Sequence, residues 1–202
     1  MNKFAYFAAA TTALAAAVPA SASTLLDFES GNLAGWTSNG TAGVRSQLTN
    51  SAGATITPAK GSFFAFIQGG LGANVYSTLT RTFTLAAGRT LAGSVGYLAN
   101  DYAPYNDDAY LTIGGSTLFT SGVLSVGNYG TTNFVPFAFT APTTGTYTLQ
   151  LGVRNTIDNS GAPYAVLDAA AVPEPATWAM MIGGIGAAGS ALRRRKTAAA
   201  FA

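Results

Sequence analysis

The densest set of side chains able to do chemistry lies in one short stretch, Asn100-Asp101-Tyr102-Ala103-Pro104-Tyr105-Asn106-Asp107-Asp108. Flat aromatic faces cover the apolar C–H side of a pyranose, and amides and carboxylates accept hydrogen bonds from its hydroxyls. Tyr102, Tyr105, Asn106 and Asp107 are therefore a candidate ligand-binding set for a sugar. The same residues also suit a plain turn, because Asn and Asp ahead of an alternating strand bond their own backbone. Asp107 and Asp108 are adjacent, so in a strand they face opposite ways and cannot both line one site. A second polar loop, Arg154-Asn155-Thr156-Ile157-Asp158-Asn159 with Pro163 and Tyr164, could join the same rim, although any hairpin needs such residues.

What is missing narrows the chemistry further. The chain has no cysteine and no histidine, which removes disulfides, thiolate nucleophiles, thiolate or imidazole metal ligands and the Ser-His-Asp and Cys-His systems. Carboxylate catalysis of glycoside hydrolysis stays open, but it needs two acids facing each other across a cleft, and no pattern pairs them. No catalytic residues are assigned, and the domain is read as a non-enzyme. Gly69-Gly70-Leu71-Gly72 lies between strands and lacks a following Lys-Ser or Lys-Thr, so it is no phosphate loop.

These side chains must be positioned by strands. The middle of the chain alternates segments rich in Thr, Val, Tyr and Phe with clusters of Gly, Asn, Pro and Ser, and shows no long helical period. The clearest period-two runs are Leu79, Arg81, Phe83, Leu85; Leu91, Gly93, Val95, Tyr97; and Tyr147, Leu149, Leu151, Val153. In the first, Arg81 interrupts the inward set, which suggests an edge or a paired carboxylate, with Thr80, Thr82 and Thr84 facing out. Further strands are expected near Leu25–Phe28, Gly43–Leu48, Ser62–Ile67, Tyr110–Ile113, Leu118–Thr120, Phe134–Thr140 and Ala165–Val172. About ten strands without intervening helices give an all-β, two-sheet antiparallel sandwich of jelly-roll type. Between residues 23 and 172 five cations stand against seven carboxylates, a net −2. So mildly acidic a domain offers no basic patch for nucleic acid.

The two ends read as processing segments. Residues 1–22 start with Lys3, run through an Ala-rich apolar stretch and end in Ala20-Ser21-Ala22, the pattern of a signal peptide taken by the Sec machinery and cut after Ala22 by signal peptidase. At the other end, Pro173-Glu174-Pro175 precedes an uncharged stretch from Ala176 to Leu192, with Trp178 near its start and Arg193-Arg194-Arg195-Lys196 directly after it. As a helix that stretch is roughly 26 Å long, just enough to insert in a hydrocarbon core of about 30 Å, with the cations held in the cytoplasm. The Pro-Glu-Pro triplet, Trp178-Ala179-Met180-Met181, Gly183, Gly184, Gly186, Gly189 and the Arg run resemble the PEP-CTERM sorting signal. That resemblance implies Sec export, transient membrane retention through the C-terminal helix, and processing near Pro173 by an exosortase, a membrane cysteine protease. It also implies a cell-surface or exopolysaccharide-matrix destination. A plain, uncut membrane anchor is the alternative, since Gly183, Gly186 and Gly189 would suit helix packing. Such tails are also described as the C-terminal domain of ice-binding proteins, but no regular Thr-x-Thr array on a flat repeated face is legible in the domain, which gives ice binding little support.

Three further pieces carry a second resemblance: Leu26-Asp27-Phe28-Glu29-Ser30-Gly31 with Gly35-Trp36; Lys60-Gly61-Ser62 with Phe64-Ala65-Phe66; and Val166-Leu167-Asp168. Together with the stretch from Phe139 to Tyr147, they are similar to the jelly-roll carbohydrate-binding modules and galactose-binding-like domains. In those modules the first and last strands lie side by side and bring an early and a late acid to one structural calcium. The resemblance implies Asp27 or Glu29 with Asp168 as metal ligands, completed by backbone carbonyls near Lys60 and Ser62, because calcium takes six to eight oxygens. The alternative is that these acids are solvated strand-end charges.

The expected organisation is a signal peptide at 1–22, a β-sandwich domain at 23–171, a sorting signal with transmembrane helix at 172–196 and a short cytoplasmic tail at 197–202. The functional expectation is an exported surface or biofilm-matrix protein with a non-catalytic, carbohydrate-binding jelly roll whose partner would be extracellular polysaccharide. Its alternatives are a purely structural surface protein and a carboxylate-dependent glycan hydrolase.

Overall fold

The computed structural model describes residues 24–169. The signal peptide, the sorting tail with Pro173, Glu174, Pro175, Trp178, Arg193, Arg194 and Arg195, and both terminal helices expected around the sandwich lie outside the described residues. Twelve strands form: β1 Thr37–Ser38, β2 Ala42–Arg45, β3 Leu48–Thr49, β4 Thr55–Ile56, β5 Phe64–Gln68, β6 Ser77–Leu85, β7 Thr90–Leu98, β8 Asp108–Ile113, β9 Ser116–Gly122, β10 Thr131–Thr140, β11 Gly145–Arg154 and β12 Tyr164–Ala169. One short helix, α1 Val123–Val126, separates β9 from β10. One sheet has the order β1-β6-β11-β8-β9, the other β10-β7-β12-β5-β2, and β3 pairs with β4 alone. Every pairing between these strands is antiparallel.

From β5 to β12 the chain passes back and forth between the two sheets so that each holds four of these eight strands, which is the jelly-roll arrangement. The three period-two runs supply the core. Leu79, Leu149, Leu151 and Val153 point inward from one sheet, and Leu91, Val95 and Tyr97 from the other, all fully buried. A second, smaller cluster covers the other face of the β7 sheet. There Ile56 of β4 packs with Phe64, Phe66, Leu98 and Val166, which puts the β3–β4 hairpin on top of that sheet.

Several expectations need correction. No strand forms over Leu25–Phe28: Thr24–Leu26 is a 3-10 turn, and Leu26 and Phe28 reach the core from it without entering a ladder. Arg81 does lie at an edge, because β1 pairs with β6 only at Leu79 and Thr80, but it has no carboxylate partner among the described residues. Its guanidinium donates to the Leu25 carbonyl at 2.9 Å and lies over the Trp36 ring, 5.7 Å from its centroid. A short threonine array does exist: β6 carries Thr78, Thr80, Thr82 and Thr84, and Thr82 and Thr84 face Thr148 and Thr146 of β11. Thr82 Oγ1 and Thr148 Oγ1 are 3.4 Å apart, so both strands show threonine on one face. The array ends there, because Gln150 and Gly152 stand opposite Thr80 and Thr78.

Candidate functional site

A cleft of about 520 Å³ opens at one end of the sandwich, where the β7–β8, β11–β12 and α1–β10 connections meet the turn between β3 and β4. Its aromatic wall is Tyr102, Tyr105 and Tyr129, and its polar wall includes Asp101, Asp158 and Ser160. Tyr102 stands edge-on to Tyr105 with centroids 5.5 Å apart and an interplanar angle of 85°. It is tilted at 39° to Tyr129 at 6.0 Å. Tyr102 is 45% exposed.

The cleft is held together by one amide. Asn50, at the β3–β4 turn, is buried. Its Nδ2 donates to the carbonyls of Ala99 at 2.6 Å and Tyr129 at 2.8 Å. Its Oδ1 accepts from the backbone N–H groups of Ala52 and Ala54. Ser51 N–H then donates to Asn100 Oδ1 at 2.8 Å, tying the turn to the start of the β7–β8 loop. Tyr129 sits at φ 53°, a left-handed conformation uncommon for a bulky residue. Its N–H donates to the Asp101 carbonyl at 2.8 Å and its own carbonyl accepts from Asn50, so hydrogen bonds on both sides hold it there.

The four residues singled out from the sequence do not stay together. Tyr102 and Tyr105 line the cleft. Asn106 turns away: its Oδ1 accepts from Leu124 N–H at 3.0 Å, at the edge of a neighbouring depression of about 430 Å³. Asp107 faces the core and is 1% exposed. The β8–β11 register pairs Asp108 with Arg154 and Ala109 with Val153, so Asp107 extends the inward row one step beyond the ladder. Asp107 Oδ1 accepts from Thr156 N–H at 2.9 Å, which ties the β7–β8 loop to the β11–β12 loop, and its Oδ2 has no partner. Burial, with the nearby Asp101 and Asp158 charges, pushes its pKa up to about 6 against the pull of the Thr156 hydrogen bonds. Asp108 does face the opposite way. On the outer surface it receives Arg154 at 2.8 Å and the Tyr76 hydroxyl at 2.5 Å, with Arg154 stacked 4.5 Å over Tyr76. Burial and then that carboxylate push the Tyr76 phenol up to about 12. The polar β11–β12 loop does join the cleft rim, through Asp158, Ser160 and Gly161.

At the opposite end, Glu29 and Asp168 meet the same loop. Glu29 Oε1 accepts from Ser62 and Phe63 N–H at 3.0 and 3.1 Å. Asp168 Oδ2 accepts from Ala59 and Lys60 N–H at 2.7 and 3.0 Å. Burial raises the Asp168 pKa, opposed by the hydrogen bonds from Lys60, Ala169 and Ala59, and the Glu29 charge adds to the rise. Asp27 is set apart, its Oδ1 accepting Glu29 N–H at 3.0 Å. The backbone near Lys60 and Ser62 thus turns its N–H groups toward these carboxylates, where a calcium shell would need its carbonyls. Among the described residues no three acidic side chains gather closely enough to hold a metal ion. As arranged, Glu29 and Asp168 clamp the backbone of that loop.

With this geometry in place, comparison with known proteins adds one firm result and a weaker one. Residues 171–196 match a PEP-CTERM protein-sorting motif. The chain carries that motif directly after the last strand of the jelly roll. A PEP-CTERM tail implies processing by an exosortase and marks an exported protein handled at the membrane and placed on the cell surface. Among the described residues no helix is long and apolar enough to cross a membrane. No curated protein matches this chain in sequence. Solved structures share the sandwich at low identity. The module TmCBM61, solved with β-1,4-galactotriose, is 14% identical over 70% of this chain and 90% of its own, with a TM-score of 0.40. A cyclase from Fischerella sp. TAU is 14% identical over 75% and 96%, at 0.40. The K3 cleaved adhesin domain of Lys-gingipain from Porphyromonas gingivalis W83 is 10% identical over 70% and 92%, at 0.42. At such scores these likenesses carry no functional argument.

Tyr129 and Asn50 escaped the reading of the sequence. Both are single polar or aromatic residues in unremarkable loops, far along the chain from the Tyr102 cluster, and no spacing rule joins them.

Proposed function

We propose that the jelly roll is a non-catalytic glycan-binding module of an exported protein of the cell surface or exopolysaccharide matrix, with its ligand in the three-tyrosine cleft. The observation that carries this reading is Tyr102, Tyr105 and Tyr129 forming one aromatic wall beside Asp101 and Asp158 in a cleft of about 520 Å³. That size lies within the range of about 300–1,000 Å³ of small-molecule sites, and its composition pairs ring faces with hydrogen-bond acceptors.

The position of Asp107 supports the non-catalytic part. Its raised pKa would suit a general acid. At 1% exposure, however, it faces the core, where no glycosidic oxygen can reach it. A carboxylate hydrolase would have to work with the cleft acids alone, and no His or Cys is present to assist. The test is binding of the purified exported protein to a glycan array and to surface polysaccharide, followed by calorimetry on the best ligand. Tyr102→Ala is expected to weaken binding about fivefold, from loss of about 1 kcal/mol of ring contact. Unchanged affinity in both Tyr102→Ala and Tyr105→Ala would rule out this cleft. Absence of any glycan binding would leave the domain as a structural spacer.

A further inference from the structure

The charge of the cleft says which sugars it accepts. Among the described residues neither Lys nor Arg lines it. Arg154, the cation closest in sequence to the β11–β12 rim, is committed to Asp108 on the outer face of the sandwich. The cleft itself holds Asp101 and Asp158, each with one oxygen occupied: Asp101 Oδ1 by Tyr102 N–H at 2.8 Å and Asp158 Oδ1 by Ser160 N–H at 2.9 Å. The second oxygen of each accepts no hydrogen bond among the described residues, and Asp101 is itself largely buried beside Gly161.

Opposite these acids stand three electron-rich phenol rings. Tyr102 and Tyr105 meet almost at right angles, with Tyr129 closing a third side. An aromatic corner backed by carboxylates is the arrangement that attracts an ammonium group. Each ring quadrupole draws the cation to its face, and each free carboxylate oxygen accepts a charge-assisted hydrogen bond from it. A neutral hydroxyl gains little from the ring quadrupole, and a uronate or sulfate would be repelled by both acids.

We propose that the cleft recognises a glycan carrying free, protonated amino groups, of the partly de-N-acetylated glucosamine class, with the ammonium seated between Tyr102, Tyr105 and Tyr129 and the free oxygens of Asp101 and Asp158. This deepens the glycan-binding reading and rests on it.

The test is calorimetric titration of the full exported protein with three ligands of equal length: a glucosamine hexasaccharide, its fully N-acetylated counterpart and an oligogalacturonate, at a pH where the amine is protonated. The expected order is amine tighter than acetamide by about tenfold, the size of one well-placed cation–π and charge-assisted contact, with the uronate weakest. Added salt should shrink the amine's advantage, because the attraction is coulombic. Asp158→Asn and Asp101→Asn keep the acceptor for the local N–H and remove only charge. Each should cut amine affinity severalfold and acetamide affinity by less, so that the amine's advantage over the acetamide shrinks while the melting temperature stays nearly unchanged. Equal affinity for amine and acetamide, or preference for the uronate, would overturn the inference and leave glycan binding intact. No binding of any of the three, with Tyr102→Ala equally inert, would overturn both.

Discussion

Replacing Asn50 with alanine should both destabilise the domain and dismantle its cleft. The side chain is buried and donates to the carbonyls of Ala99 and Tyr129. Alanine leaves those two acceptors without that donor. At about 1–3 kcal/mol for each buried group left unsatisfied, the expected loss is roughly 2–5 kcal/mol. A domain of this size shifts by about 2–4 °C per kcal/mol, so the melting temperature of the exported protein should fall by about 4–20 °C. The amides of Ala52 and Ala54 also lose an acceptor, but they are near solvent and water replaces it. Tyr129 keeps its left-handed backbone only while bonded on both sides, so its ring should leave the wall and glycan affinity should fall together with stability. Asn50→Asp separates the two functions of the amide. It retains the acceptor for the turn but sets a carboxylate oxygen against two carbonyls, and should be at least as damaging as alanine. Scanning calorimetry beside binding titration reads both effects. A loss under about 2 °C for Asn50→Ala, or a harmless Asn50→Asp, would refute the assignment of this residue as the brace of the cleft.

The two buried acids at opposite ends give further expectations. Asp107 has a folded-state pKa of about 6, above its unfolded 3.8. The folded protein therefore holds that proton more tightly, and the extra stability is fully present below the unfolded value and lost as pH rises through the folded one. About two pH units correspond to about 3 kcal/mol, so stability should decline across that window, and Asp107→Asn should flatten much of the decline when thermal unfolding is followed against pH. Asp168 is shifted in the same direction by burial and leaves a residual slope. Asp168→Ala strips the acceptor from Ala59 and Lys60 N–H, which water can reach, and should cost about 1–2 kcal/mol in chemical denaturation. Millimolar calcium should leave the wild-type melting temperature unchanged, whereas a rise abolished by Asp168→Asn would restore a metal to that end.

The strands that carry the core were legible because each buries one face only. Leu91, Val95 and Tyr97, or Leu149, Leu151 and Val153, announce themselves by period. Leu26 and Phe28 show the same spacing and yet form no strand, because two inward residues can be delivered by a turn as well as by a ladder. The β3–β4 hairpin is two residues a side and buries little beyond Leu48 and Ile56, too short for any period to register. At the candidate site, Tyr102 and Tyr105 were found by composition. Asp107 was misplaced although the signal was present: counting back by twos from Leu111 and Ala109 reaches Asp107 and assigns it inward. The clamp at Glu29 and Asp168 was found as a meeting of acids with the segment around Lys60 and Ser62. Whether the backbone presents N–H or carbonyl there is a matter of dihedral angles that side-chain identity does not encode.

The strand β12 begins beside the cleft and ends at Ala169, four residues before Pro173, and it lies inside its sheet between β7 and β5. A pull applied along the chain from that exit would run parallel to two hydrogen-bonded ladders at once. Their bonds would then be loaded in shear and would have to break together, unlike a terminal strand peeled bond by bond from an edge. A domain loaded through that exit gains resistance to force from this placement of its last strand.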